Sequence, residues 1–293
     1  MRLGLWLAIS LVIFPASIVA QTAAVNKEAA SEPAISVLRQ EADAGNPEAQ
    51  YKLALRYLDS ASQLHNDTEG LQWLRRAADA GHALSQVSLG LIYRSGDHGA
   101  KQDFIEALKW LRKASEAGDP HGQSELGFMY ERGEGLPKDE AEAARLYSLA
   151  ADQGLPIALF DLGFMYEEGR GVPADAERAV KLYEKAATRV PTARNNLAVI
   201  YFQGKSVSRD PVKAYEWGLL TISAEYNRIL AGRADSPDSR LGHALLLLKD
   251  IAKGISKDQK NKGRSLAAEW INSHASELGD EPSHFQTAIS TLK

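Results

Sequence analysis

The 293-residue sequence contains no cysteine, which excludes a disulfide framework, thiolate metal ligands, a lipidated N-terminal cysteine and a cysteine nucleophile. It has no cationic excess either: 34 Lys and Arg stand against 38 Asp and Glu, a formal charge of −4. Nucleic-acid binders need clustered cations to displace counterions from phosphates, and that class is excluded. Catalytic signatures are equally scarce. None of the seven histidines forms an HExxH pair, and there is no GxSxG elbow. Gly133-x-Gly135 and Gly169-x-Gly171 lack the Lys-Ser/Thr of a phosphate loop. With 44% hydrophobic and 25% charged residues, the chain can fill a core without being a polytopic membrane protein.

One apolar run stands out, and it opens the chain. Arg2 precedes Leu3 to Phe14, interrupted only by Gly4 and Ser10. Pro15 ends the run, and Ile18-Val19-Ala20 before Gln21 makes a cleavage site. Residues 1–20 therefore read as a secretory signal peptide. An uncleaved anchor is the alternative, because the run nearly reaches bilayer-spanning length. The expected location is periplasmic, or secreted. Residues 21–36 are small and polar and read as a flexible leader.

Self-similarity dominates the chain beyond residue 40. Aligned on Tyr57, Tyr93, Tyr130, Tyr166 and Tyr201, five copies recur at spacings of 36, 37, 36 and 35. Three residues before each tyrosine stands Ala54, Gly90, Gly127, Gly163 or Ala198, always preceded by Leu. Sixteen or seventeen residues after it comes Trp73, Trp110, Leu146, Leu182 or Trp217. Such a period marks a solenoid. Each copy predicts two antiparallel helices, A and B, with a small-residue stripe on A and small-against-large packing on B. In the joining loops, glycine ends helix A and Asp caps helix B, with Asp103–Glu106 and Asp139–Glu142 spaced as capping boxes.

These units resemble Sel1-like repeats, relatives of tetratricopeptide repeats with a longer loop inside the unit. The resemblance covers about residues 45–225 and is fullest over 118–187. It implies an all-α fold, a right-handed α/α superhelical solenoid of about five Sel1-like helix pairs. A divergent C-terminal capping helix pair is expected to close it, since Ala267-x-x-Trp270 echoes helix B. The expected organisation is a signal peptide (1–20), a leader (21–36), repeats (37–227), capping helices (228–273) and a loose tail (274–293).

The family resemblance implies scaffolding rather than one reaction, so no catalytic residue, cofactor or metal is expected. His65 and His98, in the loops of consecutive units, read as exposed loop histidines, with a weak metal or anion site between them as the alternative. Glu131, Glu134, Glu167 and Glu168 read as an acidic rim. By the tetratricopeptide register, the concave groove takes Tyr51, Leu55, Val87, Leu91, Phe128, Glu131, Phe160, Phe164, Glu167, Val199 and Phe202 as partner-binding residues. The same ladder also fits simple packing of helix A against its neighbours. The function expected is a monomeric envelope scaffold or adaptor that binds a protein or peptide, serving signalling or assembly. A β-lactamase-like or other envelope hydrolase is one alternative, weakened because such secreted relatives are stapled by cysteines. A peptidoglycan- or polysaccharide-binding module is another, but Trp73, Trp110 and Trp217 hold the helix-B position expected to be buried.

Overall fold

The computed structural model describes residues 32–204, 207–230, 237–279 and 281–290. The expected signal peptide and the leader as far as residue 31 lie outside the described residues. Within them every regular element is a helix, and none is long and apolar enough to cross a membrane. The chain divides into two compact units, one ending at Lys138 and the other beginning at Asp139.

The first unit contains α1 (Glu32–Asp43), α2 (Pro47–Leu58), α3 (Asp67–Asp79), α4 (Ala83–Ser95), α5 (Phe104–Glu116) and α6 (Pro120–Arg132). Helices A are α2, α4 and α6; helices B are α3 and α5. Consecutive helices pack in sequence order, and α4 also touches α6. The core is what the repeat demands: Leu53, Leu74, Leu89 and Leu111 are at most 1% exposed, as is Trp110.

The glycine stripe acts by permitting close approach. A Cβ on Gly90 would lie 2.5 Å from Leu111 Cγ, and one on Gly122 would lie 2.5 Å from the Ala114 Cβ. It is the residue after the large helix-B position (Leu111, not Trp110) that meets the glycine. Trp110 is buried through other contacts, with Lys113 Nζ 4.3 Å from its ring centre.

Loops between A and B are pinned by one recurring bond. The backbone N–H of Asn66, Asp103, Asp175 and Asp210 donates to the carbonyl of Tyr57, Tyr93, Tyr166 and Tyr201, at 2.8, 2.7, 2.9 and 3.0 Å. This explains why the expected capping box at Asp103 is only half formed. Asp103 Oδ1 accepts from the Ile105 and Glu106 amides at 2.9 and 3.1 Å. Its own N–H is already used by Tyr93, so Glu106 turns outward to Lys109.

Two boundaries need correction. Helix α1 begins at Glu32, inside the leader expected to reach residue 36. Val37-Leu38-x-x-x-Ala42-x-x-Gly45 has the spacing of Trp73-Leu74-x-x-x-Ala78-x-x-Gly81, so α1 is the B helix of a half-repeat. Its Val37 is 54% exposed where Trp73 is 9% exposed.

In the second unit α7 (Glu140–Asp152), α8 (Pro156–Glu168), α9 (Ala176–Ala186), α10 (Pro191–Gln203) and α11 (Pro211–Leu230) continue the B-A-B-A-B order. The second glycine of the Gly-x-Gly loop presses on the preceding B helix. Gly171 has φ +67°, and a Cβ there would lie 2.0 Å from the Glu140 carbonyl oxygen, so no other residue fits. The unit ends with α12 (Pro237–Lys253), α13 (Lys257–Ser273) and α14 (Glu281–Ser290). The first two fall in the span of the expected capping pair, the second opened by a full capping box between Ser256 and Gln259. All three pack on α11, which is buried almost without interruption from Trp217 to Glu225. The expected loose tail is the second correction. Residues 281–290 form a docked helix with Phe285 3% and Ala288 1% exposed.

Candidate interaction surface

The proposed ladder on helix A splits into two classes. In the first unit Tyr51, Val87 and Leu91 are buried, at 3%, 0% and 7% exposure. They are core, which corrects the groove reading at those three positions. Tyr51 is closed off by His82, ring centres 4.9 Å apart, and burial pushes its phenol pKa up. His82 is itself fixed, bonding to Glu48 at 3.0 Å while capping α4. Leu55, Phe128 and Glu131 are only half-buried.

Every ladder residue of the second unit is also half-buried: Phe160, Phe164, Glu167, Val199 and Phe202. These side chains are not bare. Arg94 Cζ lies 4.7 Å from the Phe128 ring centre and is held there by Glu125 at 2.7 Å. Arg170 lies 5.8 Å from the Phe164 ring and is held by Glu140 at 2.9 Å. Arg209 lies 5.7 Å from Phe202 and bonds to its carbonyl at 3.1 Å. A half-covered aromatic with a guanidinium beside it thus recurs across both units, a pairing that sequence spacing did not reveal. Arginine and aromatic side chains are both enriched at protein interfaces.

The acidic rim also changes character. Glu167 is half-buried and accepts from the Tyr183 hydroxyl at 2.7 Å. Burial pushes the Glu167 carboxyl pKa up, Glu168 adds to the rise, and the bond from Tyr183 partly offsets it. Tyr183 is fully buried beneath Gly163, where a Cβ would lie 2.9 Å from its Cε1, and stacks tilted on Phe160 at 5.5 Å. Burial and the neighbouring carboxylate keep that phenol neutral. Glu167 is therefore built into the wall of the surface rather than loose in solvent.

His65 and His98 occupy separate loops in the sequence, yet they converge in space. His98 Nδ1 lies 2.8 Å from Asp67 Oδ1 and His65 Nε2 lies 3.9 Å from Asp67 Oδ2. His98 reaches it from a left-handed backbone, φ 53°. Among the described residues no group of three or more acidic or histidine side chains is arranged to hold a metal ion.

A family model for the Sel1 repeat matches residues 47–82, 83–119, 120–155, 156–189 and 191–221, more than half of the chain. The chain belongs to the Sel1 repeat family. Its all-α solenoid of helix pairs is shared with two solved structures. One is a Sel1 repeat protein from Oxalobacter formigenes, 30% identical over 71% of this chain and 84% of that chain, with a TM-score of 0.60. The other is a protective antigen present in uropathogenic Escherichia coli strains, which displays an SLR fold. It is 25% identical over 88% of this chain and 64% of that chain, with a TM-score of 0.63. This Sel1 repeat chain thus spans less than two thirds of that antigen's length. Comparison with curated proteins gives no match.

Proposed function

We propose that this Sel1 repeat protein is a non-catalytic recognition scaffold of the cell envelope, binding a protein or peptide partner along the A helices of its repeats. The observation that carries this reading is the recurring half-buried aromatic with an adjacent arginine: Phe128 with Arg94, Phe164 with Arg170, Phe202 with Arg209. Core positions on the same helices, such as Met129, Met165 and Leu197, are at most 1% exposed. Packing alone does not require large apolar side chains to stay half open on successive A helices. Partner binding does, since such anchors carry most of an interface's affinity while the charged rim sets orientation.

The envelope location rests on residues 1–20, with cleavage before Gln21 and a periplasmic or secreted mature chain. Leu55, Glu131, Phe160, Glu167 and Val199 complete the surface, and the protein acts as a monomer. The test is capture of partners from an envelope extract by wild type and by the Phe160→Ala/Phe164→Ala double variant. The variant is expected to lose capture while its melting temperature falls only slightly. If it unfolds outright, the ladder is core and the reading fails. N-terminal sequencing that finds Met1 retained would overturn the cleaved-signal part.

A further inference from the structure

The second unit carries a cleft of about 640 Å³ between its B helices and the capping helices. One wall is α9, where Lys181, Glu184 and Lys185 stand within about one turn. The other walls are aromatic. Trp217 of α11 meets Trp270 of α13 edge to face, with ring centres 5.7 Å apart. Trp270 also stacks on His274 at 4.5 Å and carries the buried Arg194 guanidinium 4.7 Å from its ring. With both neighbours against it, Trp270 is a wall rather than a free platform for a stacked sugar. Glu277 completes the lining.

The charges in this cleft are left open in an unusual way. Elsewhere the acid-first pairs Glu106–Lys109, Glu142–Arg145 and Asp250–Lys253 close one turn apart. On α9 Lys181 stands before Glu184, the poorer order on a helix, and Glu177, four residues before Lys181, forms no ion pair with it. None of Lys181, Glu184, Lys185 and Glu277 forms an ion pair with another described residue. Two ammonium groups and two carboxylates therefore line a space of the size that holds small ligands, with Lys213 of α11 close enough to Glu184 for their charges to interact. The matching ligand is a zwitterion: a carboxylate and an ammonium joined by a short, uncharged body.

We propose that this cleft binds a short peptide by its two free termini, the carboxylate on Lys181 and Lys185 and the ammonium on Glu184 and Glu277. It lies on B helices and the cap, apart from the helix-A ladder, so the two readings stand or fall separately. Isothermal titration of the full chain with trialanine, N-acetyl-trialanine, trialanine amide and alanine tests it. Trialanine should bind saturably, and blocking either terminus should weaken binding at least tenfold. Lys181→Ala/Lys185→Ala should erase the difference between trialanine and its amide, and Glu277→Gln should shrink that between trialanine and its acetylated form. Both variants change exposed side chains and should melt as wild type does. Blocked peptides binding as well as trialanine, or no saturable binding at millimolar peptide, would overturn the proposal. Alanine binding as tightly as trialanine would overturn the peptide assignment in favour of a free amino acid.

Discussion

The two units treat one repeat position differently, seven residues before the signature tyrosine on helix A. In the first unit it is glutamine: Gln50 Nε2 donates to the Ala42 carbonyl at 3.0 Å, and Gln86 Nε2 donates to that of Ala78 at 3.1 Å. Each side chain ties its helix to the end of the preceding B helix, and both residues are buried. In the second unit the position holds Leu159 and then Arg194. Arg194 makes the same tie, Nε to the Ala187 carbonyl at 2.7 Å. A guanidinium has donors to spare. They reach the Leu220 carbonyl at 3.1 Å and Glu281 at 2.5 and 3.2 Å. A local tie has become a lock on a helix 87 residues away in sequence. Repetition fixes where a donor stands, and changing that one donor converts a stacking bond into the closure of the array.

The largest expected effect breaks this lock. Arg194 and Glu281 are 1% and 4% exposed, so Arg194→Ala strands a buried carboxylate and should cost about 3–5 kcal/mol. Gln86→Ala leaves only a carbonyl unsatisfied and should cost about 1–3 kcal/mol. Urea unfolding of both variants makes the comparison, and equal costs would remove the distinction between tie and lock. Arg194→Gln sharpens it further. The tie to Ala187 should survive while hydrogen exchange over 281–290 accelerates.

Next in size is Gly163→Leu, expected to cost about 1–3 kcal/mol by overpacking against Tyr183. An unchanged thermal melt would show that α8 and α9 do not meet at that glycine.

The smallest effect concerns a carboxylate peculiar to the second unit. Glu216 stands where other repeats have Gln72, Lys109, Arg145 and Lys181. Burial pushes its pKa up to about 7 from 4.5, with Asp210, Glu184 and Glu269 adding to the rise and Lys213 opposing it. The folded form therefore holds this proton more tightly than the unfolded chain does. Stability from it is full below about pH 4.5 and is lost as pH rises through about 7. Glu216→Gln should raise the melting temperature at pH 8 and leave it unchanged at pH 4. Because the side chain is partly solvated, the gain should stay below about 1 kcal/mol. No pH dependence in the difference would contradict the shift.

The helix pairs, their loops and the capping pair were legible because periodic small and large residues must meet in space to be buried. The half-repeat α1 was hidden because Val37 replaces the tryptophan that marks helix B, and no helix A precedes it within the described residues. Helix α14 was hidden because its anchor is Arg194, and a lone arginine in a repeat gives no sign of a distant glutamate. On the surface, register alone could not separate Leu91, which is core, from Phe164, which is half-buried, although both stand two residues before the signature tyrosine. The two occupy related positions, and only the neighbouring side chains decide their exposure. The arginine beside each phenylalanine was illegible for the same reason, since Arg94 reaches Phe128 across repeats while Arg170 comes from the next loop along the chain.

Recognition along helix A is tested most directly by placing a photo-crosslinking residue at single positions in the producing cells. Position 164 lies on the half-buried ladder. Position 149 serves as control, because Leu149 is 40% exposed but sits on a B helix. The expected result is a discrete crosslinked partner from position 164 and none from position 149. A partner captured from position 149 and not from position 164 would contradict recognition by the A helices.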